Sequence, residues 1–594
     1  MRLALLLGLV VSSFVWASVS GVDFDPASRT LKIHARFDAQ ENLPRTMGAG
    51  LPMLPYEPVH VAIPRGYTLD SSAVEHGQGR MIRAKVERAS GQLPLSWHSM
   101  SRNLPAQPAP DFAGDLFPAK RFDVNLQKLH GVSIALVNVF PVVYHRSGFT
   151  DTIDEATVTL HLKEEAAAGS LRAWQRAEVE AFVKNPEVVT AWPENRAAGY
   201  DYLIVATPEM IGYTGADNLQ DFQNNLTSRG LTSKIADITQ VIKTEGLSSV
   251  PTVDDADKLR LYVSDEYASS GIRYVLLAGR GTVSATTPSI PSRLLWSKIR
   301  AYDGHWYDLE EKIPADHYFA ALDGSFDGNK NGVFGEPADG EDGQDVDFLP
   351  EVTVGRVVLS STAQLQAFVK KVNWSSTATF AKKTILSGEL LFPEMGLYGD
   401  EYMDQLVGHC EDHGFFTDGY TSDWEATKLY DRPKQWSGAD ALKALKSSGV
   451  SMVNHLGHSN ESYNMRMSSG SIASMTNEAP FFYYTQGCLA GRFTVGSFVD
   501  KLVSSPKAAF AAVGNSSYGL APEDPHAEST KTPGASQMLH RQFIQSVIAN
   551  PGASLAQAHQ ASKVAFVNDK AIQEVRWVTW VATFFGDPSL GMKF

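Results

Sequence analysis

The rhythm of apolar and polar positions changes once along the 594 residues, between about 165 and 198. Before that point, stretches such as VHVAIPRGYTL, MIRAKVERAS, VSIALVNVF and ATVTLHL alternate apolar with polar and are parted by Pro, Gly and Asn. That pattern predicts short, half-buried strands packed as a β-sandwich. LRAWQRAEVEAFVKNPEVV has helical spacing and reads as a connector, and PENRAAG reads as an exposed loop. Beyond it, YDYLIVAT, IRYVLLAG, KTILSGE, GVSMVNHLGH, PFFYYTQGC and KAAFAAVGNSS are apolar throughout and are spaced by helical stretches such as DNLQDFQNNLTSRG. Strands apolar on both faces and joined by helices predict a mostly parallel α/β arrangement covered on both sides. Four units follow: 1–20, a strand-rich part with its helical connector at 21–197, and α/β parts at 198–381 and 382–594. The last two are either two sheets or one long sheet interrupted by an insertion.

The first 21 residues, MRLALLLGLVVSSFVWASVSG, carry one Arg, an apolar run of about a dozen residues and then small residues suited to cleavage near Ala17 or Ser20. This is the pattern of a secretory signal peptide; the run is too short to span a bilayer, which takes about 20 residues. No other stretch is long enough, so no integral membrane segment is expected after its removal, and the protein is expected to be secreted or held at the cell surface or in the periplasm. A net charge of −14 without a Lys/Arg block argues against nucleic-acid binding. Export favours disulfides, so a bridge between the two cysteines, Cys410 and Cys488, is one reading. Cys410 sits in DEYMDQLVGHCEDHG, whose spacing predicts an amphipathic helix, whereas Cys488 ends a strand beside glycine, a place suited to a reactive thiol.

Reactive groups of open α/β sheets gather beyond the carboxyl ends of the strands. KTILSGE ends at Glu389, GVSMVNHLGH at His458 and PFFYYTQGC at Cys488, so three strands deliver a carboxylate, an imidazole and a thiol to one edge. A thiol attacks a carbonyl as the thiolate, an imidazole takes its proton and returns it to the leaving amine, and a carboxylate on the other ring nitrogen would orient the imidazole. The backbone N–H groups of Cys488 and Ser459 are the candidates for stabilising an oxyanion. A zinc site from His455, His458 and Cys488 is the alternative, unsupported by any further cysteine. In the Gly/Asp-rich stretch 321–348, Asp327, Asn329 and Asn331 with Gly332 match the opening of an EF-hand-like calcium loop; position twelve is Ala338 where a Glu is usual. A structural calcium ion and a plain solvated acidic loop are the two readings, and catalysis itself calls for no cofactor.

NHLGH ending at His458, TQGCLAGRF running to Phe493, KAAFAAVGNSS and FFGDPSL together resemble the gingipain family of secreted cysteine peptidases, relatives of caspases and legumain. The resemblance covers most of 200–594 and departs from the family's common Gly-His-Gly at Ser459. It implies a caspase-like catalytic unit made as a zymogen, with the N-terminal unit as an inhibitory propeptide. It implies Cys488 as nucleophile, His458 as general acid/base and Glu389 as its orienting carboxylate. Arginine-specific members place an aspartate eleven residues after that glutamate, here Asp400, whose bland reading is a helix cap. Tyr518 is similar in position to an aromatic wall of the same pocket, or is a surface aromatic. Arg196, in PENRAAG, lies where a propeptide would be cut. The expected function is a cysteine endopeptidase cutting protein or peptide substrates after Arg; a cell-surface transpeptidase with the same dyad and an inactive surface-binding relative are the alternatives.

Overall fold

The computed structural model describes residues 19–38, 43–95, 104–243, 254–281, 287–302, 305–340, 343–432, 434–522 and 534–594. The leader expected at 1–20 lies outside them, save for Val19 and Ser20, which open the first strand. In the N-terminal part, strands Val19–Asp25, Thr30–Arg36, Glu155–Glu164 and Tyr67–His76 form one antiparallel sheet, and Glu57–Ala62, Val132–Val139 and Phe122–Leu129 form another. Alternation places Leu31, Ile33, Val59, Val61, Val137, Val158 and Leu160 between them. Strand Val132–Val139 is apolar on both faces for a reason: Ala135, Val137 and Val139 fill the sandwich, while Ile134 and Leu136 enter the larger core of the second part.

That second part is built on one ten-stranded sheet, not two. Its strands are β1 (Tyr202–Ala206), β2 (Ser233–Asp237), β3 (Tyr274–Gly279), β4 (Thr353–Val358), β5 (Lys383–Gly388), β6 (Glu425–Tyr430), β7 (Met452–Leu456), β8 (Phe481–Thr485), β9 (Ala509–Asn515) and β10 (Ala582–Phe585), in the order β2-β1-β3-β4-β10-β9-β8-β7-β5-β6. All neighbours run parallel except β9 and β10, which are antiparallel. Two parallel halves therefore meet back to back, which is why the sequence divides into two α/β stretches while the hydrogen bonding is continuous. The FFGDPSL turn after β10 is anchored by Asp587, wholly buried, which accepts from the Tyr202 hydroxyl at 2.9 Å and pairs with Arg229 at 2.6 Å.

Two elements differ from expectation. Cys410 is on a strand, His409–Asp412, hairpinned with Phe415–Asp418. The helix stops at Asp404 because Gly408 (φ +66°) and Gly414 (φ +80°) turn the backbone left-handed on either side of the cysteine. Cys410 and Cys488 share no disulfide. Secondly, the hairpin Leu294–Tyr302 and Trp306–Pro314 makes a small sheet of its own that also takes in Gln92–Pro94 from the N-terminal part and Leu520–Pro522 from the loop after β9.

Candidate active site

Strands β5, β7 and β8 are adjacent, so their carboxyl ends bring Glu389, His458 and Cys488 to one sheet edge. Cys488 is fully buried, with Sγ 3.9 Å from the carbonyl oxygen of Gly519. The residue after it, Leu489, has φ +59° and donates its N–H to the Ser517 carbonyl at 2.8 Å, a sharp turn that lifts the thiol off the strand. The serine that interrupts the Gly-His-Gly pattern has a partner: the Ser459 hydroxyl donates to the Cys488 carbonyl at 2.6 Å. Gly487 is glycine for the same reason, since a Cβ there would lie 2.3 Å from Ser459 Oγ.

Glu389 does not face the ring of His458. Its Oε1 pairs with His455 Nε2 at 3.1 Å, and its Oε2 accepts the backbone N–H of His458 at 3.3 Å. Arg466 stands 3.9 Å away. Burial raises the Glu389 carboxyl, and His455, Arg466 and His458 together hold it below the usual carboxylate range. The His458 ring lies between two carbonyl oxygens, Leu95 at 2.6 Å from Nδ1 and Leu391 at 2.8 Å from Nε2. Carbonyls only accept, so a ring with a proton on each nitrogen satisfies both contacts and a neutral ring only one.

Leu95 belongs to the N-terminal part. Gln92–Pro94 pairs antiparallel with Leu520–Pro522, and Leu95 donates its N–H to the Gly519 carbonyl at 2.9 Å, the same oxygen that Cys488 Sγ approaches. The Leu95 peptide thus spans from the thiol's neighbour to the imidazole, in the manner of an added substrate strand. Leu93 and Leu95 are both fully buried there. Sequence pattern could not show this: QLP is too short to have a period.

Asp400 is buried in the first turn of helix Gly399–Asp404, where it accepts from the Glu401 N–H at 2.9 Å. Its carboxyl is raised by burial, against the pull of Arg432, whose Nε lies 3.5 Å from Oδ2 and whose Nη1 lies 2.9 Å from Glu401. The guanidinium of Arg432 also covers the Tyr398 ring at 4.5 Å. Tyr518 is half buried; burial first, then the charges of Glu311, Cys488 and Glu461, push its hydroxyl up to about 12 against the pull of Arg492. Arg196 lies in an exposed loop, its side chain 82% accessible and paired with Glu194 at 2.6 Å.

In the acidic segment, Asp327 and Asn329 accept from the Asn331 N–H at 2.9 and 3.0 Å, and Asn331 Oδ1 accepts from Val333 N–H at 2.7 Å. These side-chain oxygens, the calcium candidates of the sequence, accept backbone N–H groups and close the loop on itself. A second cluster lies nearby. Asp323, Asp347 and Glu351 offer oxygens within 4.8 Å of one another. Asp323 Oδ2 and Glu351 Oε1 are buried without a hydrogen-bond partner, and burial with mutual repulsion pushes the Asp347 and Glu351 carboxyls well up. The sequence signal for it is the D-V-D-F-L-P-E run, residues 345–351, at the end of the Gly/Asp-rich stretch.

A profile of Peptidase family C25 matches residues 195–593, more than half of the chain. The chain belongs to peptidase family C25. As a C25 member it is a cysteine peptidase whose substrates are proteins. The solved structures it is similar to include the Arg specific cysteine proteinase gingipain R (RgpB), 17% identical, with 67% of this chain and 79% of that chain covered and a TM-score of 0.44. The complex of Porphyromonas gingivalis RgpB pro- and mature domains is 16% identical over 66% of this chain and 79% of that one, with a TM-score of 0.44. A structure addressing zymogenic latency of gingipain K from Porphyromonas gingivalis is 13% identical over 25% of this chain and 97% of that one, with a TM-score of 0.16. No curated protein matches the chain. Among the described residues of this C25 peptidase, no helix is long and apolar enough to cross a membrane.

Proposed function

We propose that the chain is an exported C25 endopeptidase made as a latent zymogen, with Cys488 as nucleophile and His458 as its proton carrier. The observation that carries the reading is the position of Leu95, whose N–H and C=O bridge Gly519, beside the thiol, to His458. In the released enzyme a substrate strand takes the place of Gln92–Leu95 along Leu520–Pro522. The thiolate of Cys488 attacks the scissile carbonyl, His458 protonates the leaving amine, and water then resolves the thioester with the proton returned through His458. Glu389 serves this pair through the backbone of His458.

Cleavage after arginine is the preference we assign, on Asp400. What supports the assignment is that the chain's own Arg432 sets its guanidinium against Asp400 and Glu401 while staying half exposed and so displaceable. Release of the N-terminal part follows cutting in the open loop at Arg196. A divalent cation at Asp323, Asp347 and Glu351 is the metal site we favour over Asp327, Asn329 and Asn331. Asp323 Oδ2 and Glu351 Oε1, which accept no hydrogen bond among the described residues, suit calcium, which would favour the ionised carboxylates that burial opposes and fix the segment leading into β4.

The test is intact mass of the full chain with and without Cys488→Ala, followed by assay on peptides ending in Arg, Lys or Asn before a reporter. Loss of the N-terminal part near Arg196 in the wild type alone, with the Arg peptide cut fastest, supports the reading. A wild type that stays whole and cuts nothing under reducing conditions with calcium removes it.

A further inference from the structure

The two strand ends that carry the reacting groups are both tied to one buried carboxylate, and the tie runs through a second histidine. His455 stands opposite Ser387 and Thr485 in the parallel ladder, so its ring lies beside the Thr485 hydroxyl. Thr485 Oγ1 accepts from the N–H of Gly487 at 3.0 Å and from Asn464 Nδ2 at 3.0 Å. The Tyr483 hydroxyl donates to Asn464 Oδ1, which sets that amide with its nitrogen towards Thr485. A hydroxyl has two lone pairs and one proton. With both lone pairs engaged, its proton goes to the remaining neighbour, His455 Nδ1 at 2.9 Å. His455 is therefore an acceptor at Nδ1 and carries its proton on Nε2, which donates to Glu389 at 3.1 Å. The far oxygen of Glu389 takes the N–H of His458.

An unbroken path thus leads from Gly487, one residue before Cys488, through Thr485, His455 and Glu389 to the backbone of His458. Its side chains are sealed from water: His455, Thr485 and Asn464 are 0% exposed and Glu389 3%. Room for it is made by Gly457, where a Cβ would lie 2.6 Å from His455 Nε2 and 2.4 Å from Glu389 Cδ. The bridge needs a donor on one side and an acceptor on the other. Lys and Arg have no acceptor, Asp and Glu would set a like charge against Glu389, and an apolar residue would strand two buried polar groups.

We propose that His455 is a positioning residue of this peptidase, joining Thr485 to Glu389 and so fixing the separation of Cys488 and His458. This rests on reading those two as the reacting pair. It acts through the two backbones and touches no substrate.

The test uses the full chain, matured under reducing conditions, as wild type, His455→Leu, His455→Gln, Thr485→Val, Thr485→Ser and the double variant His455→Leu/Thr485→Val. Misplaced reacting groups predict kcat lower by about 10- to 100-fold in the Leu and Val variants, with KM within about twofold. Gln and Ser, which restore a donor and an acceptor, recover most of it. The double variant is no slower than the worse single, because both break one path. A readout that needs no activity is nitrogen NMR of the uncut Cys488→Ala chain labelled at histidine. The signal that disappears in His455→Gln is expected to show a protonated Nε2 and a bare Nδ1. A proton on Nδ1, or wild-type activity matched within about threefold by His455→Leu, overturns the inference alone. A wild type that cuts no peptide overturns the peptidase reading and this inference with it.

Discussion

Asp400 and Arg432 hold each other at 3.5 Å while Glu401 takes the other end of the guanidinium at 2.9 Å, so the proposed Arg preference requires a substrate arginine to displace a side chain. Asp400→Asn should slow cleavage of Arg peptides by roughly ten- to a hundredfold, the equivalent of about 1.5–3 kcal/mol for a charge-assisted bond. Arg432→Ala should speed it. Steady-state kcat/KM on Arg and Lys peptides decides, and an Asp400→Asn enzyme that still cuts Arg peptides at the wild-type rate ends the assignment. The positions of Cys488, His458 and Glu389 were legible in the sequence because uniformly apolar strands that stop at Gly-Cys, Gly-His and Gly-Glu mark their own carboxyl ends. What Glu389 binds was not legible. That depends on the register of β5 against β7, which sets His455 beside Ser387, and no spacing along the chain reports a lateral register. Ser459 was legible only as a departure; its bond to the Cys488 carbonyl needs two strand ends side by side.

The strand Gln92–Pro94 and the acidic segment before β4 are the elements that regulation would act on. Leu93 and Leu95 are fully buried, and each is worth about 1.5–3 kcal/mol against exposure. Leu93→Asp/Leu95→Asp should therefore open the cleft in the uncut chain. Alkylation of Cys488 by iodoacetamide, read by mass, should become fast in that variant while it stays slow in the wild type; equal rates would show that this strand is not the restraint. For the acidic segment, chelation of the purified protein should lower Tm by several degrees, since a lost cation leaves buried carboxylates facing one another. Glu351→Gln should make the protein indifferent to chelator, whereas Asp327→Asn should leave the response intact. A chelator response abolished by Asp327→Asn and kept by Glu351→Gln would restore the loop first expected from the sequence. Alternating Asp and Asn side chains suit Asx turns as well as calcium ligation, and the loop forms those turns. The sandwich was readable from its alternation and the parallel strands from their uninterrupted apolar runs.

Across the whole molecule, the N-terminal part rests on residues 567–569 through Tyr56 to Asp569 at 2.7 Å and His60 to Asn568 at 2.5 Å, beside a cavity of about 230 Å³ lined by Tyr56, His60, Phe182, Phe415 and Phe566. Burial raises Asp569 to about 7 and lowers His60 to about 4. The two act in opposite senses. A raised carboxyl stabilises the fold fully below its free value near 4 and loses that contribution as pH rises through about 7. A lowered imidazole contributes above about 6.5 and loses as pH falls through about 4. Glu574, raised to about 7, and Lys563 and Lys570, lowered to about 7, titrate in the same range, so the Asp569 part is read as a difference: Asp569→Asn should make the slope of Tm against pH between about 4 and 7 less negative than in the Cys488→Ala chain. An unchanged slope in that variant would put the pH dependence elsewhere. One architectural feature bears on how the protein is made. Strand β10, residues 582–585, lies between β4 and β9 and joins the two halves of the sheet, and it is the last of the ten to leave the ribosome. Until it arrives, the half-sheet carrying Cys488 has an open flank, whereas Gln92–Pro94 has long been synthesised. Translation order therefore completes the strand proposed as the restraint long before the half-sheet proposed to carry the nucleophile is closed, so a chain stalled before β10 would hold the one without a rigid frame for the other.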